Sequence, residues 1–335
     1  MPCYSPLKGF KSKENGGLVF RRDQSFGESL EVVCGSCLGC RLDRARMWSA
    51  RIVHEADMHA DKCGNCFITL TYDEEHLPGD QSVHKSHFQK FMKRLRHEFP
   101  QKIKYYGVGE YGTICKHGID LDRVKCPLCN VGRPHYHACL FNCSFHDRES
   151  YRIEDSVTRY TSPTLEKVWK QGHVDVGELT FQSAAYVAGY VTDKVTGQKA
   201  EDYYKWISLD GEEVVINPPF AVMSRGRKCK EHRGRLDTQD CPKCSYAIGA
   251  GYYHKYKSDF WPHDKSSVPG EEPVWKVPRY YEELLKAEDE ALLEEIKEKR
   301  QEFRRENSEE YTPERLMAKY RCTKARKELF GGKKL

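Results

Sequence analysis

Apolar and polar positions along the chain change period several times, and each change marks an element. The run Phe67-Ile68-Thr69-Leu70-Thr71-Tyr72 is β-branched and aromatic, is closed by Asp73 and Leu77-Pro78-Gly79, and predicts a strand. Lys104 to Tyr111 predicts a second strand, and Arg133 to Asn142, opened by Pro134, a third. Between the first two, Phe88, Phe91, Met92 and Leu95 recur at helical spacing with basic residues on the other faces, so residues 86–96 read as an amphipathic helix. Helices are also expected from about Arg41 to His59 and, through Leu165, Val168 and Trp169, over residues 163–172, followed by a strand at 173–179. Thr180 is the expected N-cap of a helix reaching Gly197, on which Tyr186, Tyr190 and Lys194 are four apart and share a face. Gly189 costs that helix about 1 kcal/mol relative to alanine, which implies a close approach there. Residues 200–278 show no clear period, and Tyr280 to Glu306 reads as a charged helix.

Composition then bounds what these elements build. With 335 residues, 39% of them hydrophobic, there is room for two or three domains with a real core. The expected division is an N-terminal Cys-rich segment and helix (1–60), a core (61–199) with a Cys/His insert, an irregular Cys/His region (200–278) and a charged helical extension with a basic tail (279–335). No apolar run is long enough for a membrane span, and Met1-Pro2-Cys3-Tyr4-Ser5 lacks the apolar region of a signal peptide, so no membrane partner and a cytoplasmic location are expected. Fifty-five Lys and Arg against 50 Asp and Glu leave only +5, too little by itself to imply a polyanion partner. The distribution says more, because residues 315–335 carry eight basic residues and the single acid Glu328. Arg315, Arg321, Lys324, Arg326 and Lys327 in that arm, and Arg133 upstream, are the expected DNA contacts.

Fifteen cysteines without a secretory signal read as thiolates rather than disulfides. Cys34-x2-Cys37-x2-Cys40, with Cys3 as a fourth ligand, suits a tetrahedral Zn2+ site, although cysteine runs also hold iron–sulfur clusters. Two further blocks share one pattern, Cys115, His117, Cys126 and Cys129 in the first and Cys229, His232, Cys241 and Cys244 in the second. Each supplies three thiolates and an imidazole, a closed structural zinc set that would stiffen a polar loop. The remaining seat is of another kind. Alternation along a strand puts His135 and His137 on one face, and Glu110, on the preceding strand, is the best carboxylate partner. Two neutral imidazoles and a carboxylate suit a catalytic Mg2+ or Mn2+ with positions left open for substrate.

The order of a strand at 67–72, His135-x-His137 on a strand, and Tyr186-x3-Tyr190 on a helix resembles the HUH endonucleases, the rolling-circle replication initiators. Within them it is most similar to the replication initiators of gokushovirus-type Microviridae phages, through Pro134-His135-Tyr136-His137, Val108-Gly109-Glu110-Tyr111-Gly112, Tyr186-Val187-Ala188-Gly189-Tyr190-Val191-Thr192 and the early Cys34-x2-Cys37-x2-Cys40-Arg41. The resemblance covers about residues 1–197. It implies an α+β fold, a central antiparallel sheet of about five strands with packed helices, to which the spacing signals add zinc-stabilised loops and a helical C-terminal extension. It also implies a nicking and joining endonuclease that acts on a single-stranded DNA origin in the cytoplasm of a bacterial host, with a host helicase and polymerase as further partners. Tyr186 and Tyr190 would form 5′-phosphotyrosine adducts beside the ion at His135, His137 and Glu110. Lys194 stands four residues after Tyr190, where single-tyrosine relatives place a lysine three after. A histidine-triad hydrolase would need a third histidine where Cys139 stands, and the rival from another class is a non-catalytic, zinc-dependent nucleic-acid-binding protein.

Overall fold

A computed structural model describes residues 3–14, 17–23, 25–112, 132–154, 157–193, 199–207, 211–227, 229–231, 244–269 and 271–329. In chain order the elements are β1 (Leu7–Ser12), β2 (Leu18–Val19), β3 (Ser25–Val32), α1 (Leu38–Asp57), β4 (Asn65–Thr71), α2 (Lys85–Glu98), β5 (Lys104–Tyr111), β6 (Pro134–Phe141), β7 (Glu149–Glu154), β8 (Val157–Thr161), α3 (Pro163–Trp169), β9 (Val174–Gly177), α4 (Phe181–Asp193), α5 (Lys199–Tyr203), β10 (Lys205–Ile207), β11 (Glu213–Val215), β12 (Phe220–Met223), α6 (Ala250–Phe260), β13 (Ser266–Val268), β14 (Glu271–Trp275), α7 (Arg279–Glu288), α8 (Glu290–Glu306) and α9 (Pro313–Leu329). They form two units, residues 48–288 and residues 1–47 with 289–335.

The larger unit is built on a seven-stranded sheet in the order β12-β5-β6-β4-β9-β8-β7, with every neighbour antiparallel. About five strands are what the family resemblance implies. The excess lies at the edges, in β12, a four-residue strand too short to show a period, and in β7, whose Tyr151 and Ile153 are exposed. Helices cover both faces. On one, Phe88, Phe91, Met92 and Leu95 of α2 and Leu165, Val168 and Trp169 of α3 pack on Ile68, Leu70, Tyr136, Ala138 and Leu140. A Cβ at Gly107 would come within 2.4 Å of the Phe88 ring, so glycine is what lets α2 lie this close. On the other face, Ile52 and Ala56 of α1 and Ala184 and Val187 of α4 pack on Tyr106, Val108, Cys139 and Phe141. Thr180 caps α4 as expected, its Oγ1 accepting from the Ser183 N–H at 3.2 Å. At Gly189, where a close approach is expected, a Cβ would meet no atom of the described residues within 4 Å.

The smaller unit carries the three-stranded sheet β2-β1-β3 and the helices α8 and α9. The expected helix over 280–306 is two, because Asp289 interrupts it and its carboxylate accepts from the Leu292 N–H to start α8. Tyr4 joins the unit's two chain segments: its hydroxyl lies 2.7 Å from Thr323 Oγ1 and its ring meets Tyr320 edge-on. The basic arm is thus helical through Leu329. Among the described residues no helix is long and apolar enough to cross a membrane, and no disulfide joins the cysteines.

Candidate functional site

The register of β4, β5 and β6 assembles the site. Glu110 faces His135 across one strand pair and Thr69 faces His137 across the other, so the two imidazoles, the carboxylate and the threonine share one face of the sheet. Glu110 Oε1 lies 2.9 Å from His135 Nε2 and 3.1 Å from His137 Nε2. The outer nitrogens are fixed from behind. His135 Nδ1–H donates to the Arg133 carbonyl at 3.1 Å, and His137 Nδ1 sits 2.9 Å from Thr69 Oγ1. Such contacts set tautomer and ring direction, leaving Nε2 of both rings aimed at Glu110. Burial alone would raise the Glu110 carboxyl, and the two imidazoles outweigh it, holding the group below its ordinary value. His135 is raised because Glu110 outweighs the burial that would lower it, whereas His137 is lowered by burial and by the nearby charges of His135 and Arg159.

These residues fit a cation. Glu110 Oε2 is buried without a hydrogen-bond partner among the described residues, and the donor atoms of Glu110, His135 and His137 lie within 4.8 Å of one another. Lone pairs converging at that spacing need positive charge between them, and the two nitrogens with one hard oxygen match Mg2+ or Mn2+ with open coordination positions. Helix α4 brings Tyr186 over this seat, its ring centroid 5.2 Å from His137 and 6.4 Å from Phe67, and leaves the side chain 44% exposed, within reach of a ligand from solvent. Tyr190 lies on the same helix, but its side chain and Lys194 fall outside the described residues.

A second cluster stands in the smaller unit. Cys3, Cys34, Cys37 and Cys40 converge with Sγ–Sγ contacts of 3.6 to 3.9 Å, and the N–H groups of Tyr4, Cys34 and Cys37 each donate to a sulfur at 3.3 Å. Burial works against a charged Cys34, yet the backbone N–H groups of Cys37 and Ser36 prevail and lower its thiol to about 6. Four sulfurs backed by amides match the closed tetrahedral Zn2+ set expected from the spacing. The first of the two Cys/His blocks, with Cys115, His117, Cys126 and Cys129, lies outside the described residues, as do His232 and Cys241 of the second. Its ends do meet, the Cys229 N–H donating to Cys244 Sγ at 3.3 Å.

Of the expected DNA contacts, Arg133 bonds Glu74 and donates to the Tyr72 carbonyl at 2.9 Å, and Arg315 pairs with Glu310. Arg321, Lys324 and Arg326 are exposed on α9, and Lys327 is partly so. Three residues at the site carried no signal of their own in the sequence: Thr69, Asp175 and Arg159. Asp175 pairs across from Thr69, and Arg159 Nη1 donates to Asp175 Oδ2 at 3.0 Å. Strand register alone places them there.

Known proteins resemble this chain in the same region. Residues 65–195 match the model of the family "Replication-associated protein ORF2/G2P". The chain is 29% identical over 325 residues to replication-associated protein ORF2 of Spiroplasma virus 4, covering 90% of this chain and 86% of the relative. It is 33% identical over 215 residues to replication-associated protein VP4 of Bdellovibrio phage phiMH2K, 61% of each chain. Replication-associated protein ORF4 of Chlamydia phage 1 is 27% identical over 270 residues, 77% of this chain and 54% of that one. No solved structure matches.

Proposed function

We propose that the chain, whose residues 65–195 match the replication-associated protein ORF2/G2P family model, initiates rolling-circle replication by nicking single-stranded DNA through tyrosine transesterification. The observation that carries this is Tyr186 standing against His137 in a seat made of His135, His137 and Glu110. A free tyrosine is only about 0.1% ionised at neutral pH, so it needs help as a nucleophile. Bound at those three residues, Mg2+ or Mn2+ would supply charge stabilisation for the phosphate oxygens in the transition state. Glu110 keeps the imidazoles converging and contributes negative charge that retains the ion, while Thr69 and the Arg133 carbonyl hold the rings. The Tyr186 oxygen attacks phosphorus in line and loses its proton; the bond to O3′ breaks, and that oxygen takes up a proton. The products are a 5′-phosphotyrosine and a free 3′-OH from which a polymerase can extend.

One phosphodiester replaces another, so the step runs backwards to join ends. Tyr190, on the same helix, gives a second nucleophile for the cut that releases a unit-length circle while the first tyrosine still holds DNA. The test is to incubate the full chain with a labelled single-stranded origin hairpin and Mn2+ and look for a covalent protein–DNA adduct by denaturing electrophoresis. An adduct that disappears in the Tyr186→Phe/Tyr190→Phe double variant is expected. DNA binding with no adduct under any divalent ion would leave the non-catalytic, zinc-dependent nucleic-acid-binding reading standing instead.

A further inference from the structure

The sheet face that carries the metal seat continues past it, and what it presents there is basic. Thr69 pairs with both His137 and Asp175, so Asp175 on β9 belongs to the seat's face. Tyr160 pairs with Val176, and both pack into the core beneath the opposite face, which turns Arg159 to the seat's side. Arg152 of β7 lies directly across from Arg159 and faces the same way. The seat's face therefore carries, strand by strand from β5 to β7, Glu110, then His135 and His137, Thr69, Asp175, Arg159 and Arg152. At one strand spacing each, β9 and β8 stand roughly 10 and 15 Å from β6.

The basic end of this face suits an anion. Arg152 and Arg159 lie directly opposite on neighbouring strands, so two guanidinium groups stand at the spacing of a cross-strand pair. Asp175 accepts from Arg159 through one contact, Nη1 to Oδ2, and the other guanidinium N–H groups of Arg159 meet no acceptor among the described residues. The guanidinium is thus held on one side and presented on the other, 38% exposed, where a phosphate takes two parallel N–H bonds.

We propose that Arg152 and Arg159 form a phosphate-binding track for single-stranded DNA, which holds the backbone beside the scissile phosphate, with Asp175 as the positioning residue for Arg159. The proposal rests on the nicking function inferred above, and supplies what the metal seat lacks, a grip on the strand that flanks the reacting phosphate. Base identity plays no part in it, since guanidinium contacts to phosphate position a strand without reading it.

The experiment uses the full chain and a fluorescent single-stranded oligonucleotide, with anisotropy read across a salt series without added divalent ion. Arg152→Ala/Arg159→Ala is expected to weaken binding at low salt about tenfold and to lower the slope of log affinity against log salt by roughly 1.4, about 0.7 for each phosphate no longer neutralised. Arg159→Lys keeps the charge and should retain the slope while binding more weakly. Asp175→Asn should weaken binding when Arg159 is present and add nothing in the Arg159→Ala background, an outcome that a general loss of fold would not give. Unchanged affinity and slope in the double alanine variant would overturn the track, whatever the nicking assay reads. Weaker binding in that variant, alongside a wild-type chain that forms no covalent adduct, would instead support the track and remove the nicking reading.

Discussion

Thr69 is not among the three residues that could hold a metal, yet it orients one of them. Its hydroxyl fixes Nδ1 of His137, and such outer contacts typically matter about 10- to 100-fold in metal affinity. Thr69→Val keeps shape and strand propensity, so it should weaken Mn2+ binding by that factor with little change in melting temperature; unaltered affinity by calorimetric titration would show that the contact is idle. Tyr186→Phe should strongly reduce the first cut, because the Tyr186 ring meets His137, and undiminished adduct would shift the first attack to Tyr190. His54 is the clearest pH-sensitive residue away from the site. It is fully buried, stacks on Tyr252 at 4.1 Å, and gives its Nε2–H to the Ser267 carbonyl while Nδ1 accepts from the Tyr281 hydroxyl. Burial lowers it from 6.5 to about 4, against a smaller opposing effect of the Ser267 contact. The unfolded chain therefore takes up the proton first, so the stabilisation is full above pH 6.5 and is lost as pH falls towards 4, by about 3 kcal/mol in total. Melting temperatures across that window should fall less steeply for His54→Gln than for the wild type, and parallel curves would contradict the assignment.

Among the elements, the Cys-rich turn before α1 depends most on something other than packing. Its sulfurs come from the start of the chain and from a turn some thirty residues later, and Tyr4 links that start to α9. Binding free energy at such a site is folding free energy. Cys34→Ser/Cys37→Ser is expected to lose about one zinc ion per chain by elemental analysis and to expose the smaller unit to proteolysis. Unchanged zinc content would refute the site. The buried Glu55 near the end of α1 is an ionic counterpart: burial alone would raise it, but His59, Lys104 at 2.6 Å and the Gly249 N–H hold it below its ordinary value. Glu55→Ala strands Lys104 and that N–H, and should cost roughly 3 to 5 kcal/mol, readable by urea denaturation.

At the scale of the whole molecule, sequence-independent DNA affinity is expected from α9. That helix contributes buried Leu316 and Thr323 to its unit, so cutting the arm away would mix loss of charge with loss of packing. Arg315 and Lys319 are engaged by Glu310, and Arg321, Arg326 and Lys324, which meets Glu328 at 3.7 Å, are the exposed cations to change. Replacing these three with glutamine should lower the salt slope of single-strand binding by roughly 2 and leave the position of the cut unaltered, because the proposed nicking assigns that to Tyr186 and the Glu110, His135 and His137 cluster. An unaltered slope would show that the arm is a solvated face only.

Period and residue type are local properties, and what they specify was legible in the chain: β4, β5 and β6 within a residue or two of their expected limits, the α2 face of Phe88, Phe91, Met92 and Leu95, the Thr180 cap, the two histidines on one face, and the cysteine runs. Glu110 was legible too, since it sits near the end of a strand that is followed in the chain by His135. Register is not local. Whether β9 lies beside β4 so that Asp175 meets Thr69, whether the β7–β8 hairpin extends the sheet and lines Arg152 up with Arg159, and whether β12 comes back to pair with β5 all depend on contacts between residues far apart in sequence. Short, exposed edge strands carry almost no hydrophobic pattern, so the sheet is wider than the expected five strands. Local pattern was thus enough to expect Glu110, His135 and His137 as one cluster, and to expect the helix that carries Tyr186. That Tyr186 stands against His137, and that Arg152 and Arg159 share that face of the sheet, followed from strand pairing and packing, because a one-residue change of register would have turned the strand side chains to the other side of the sheet.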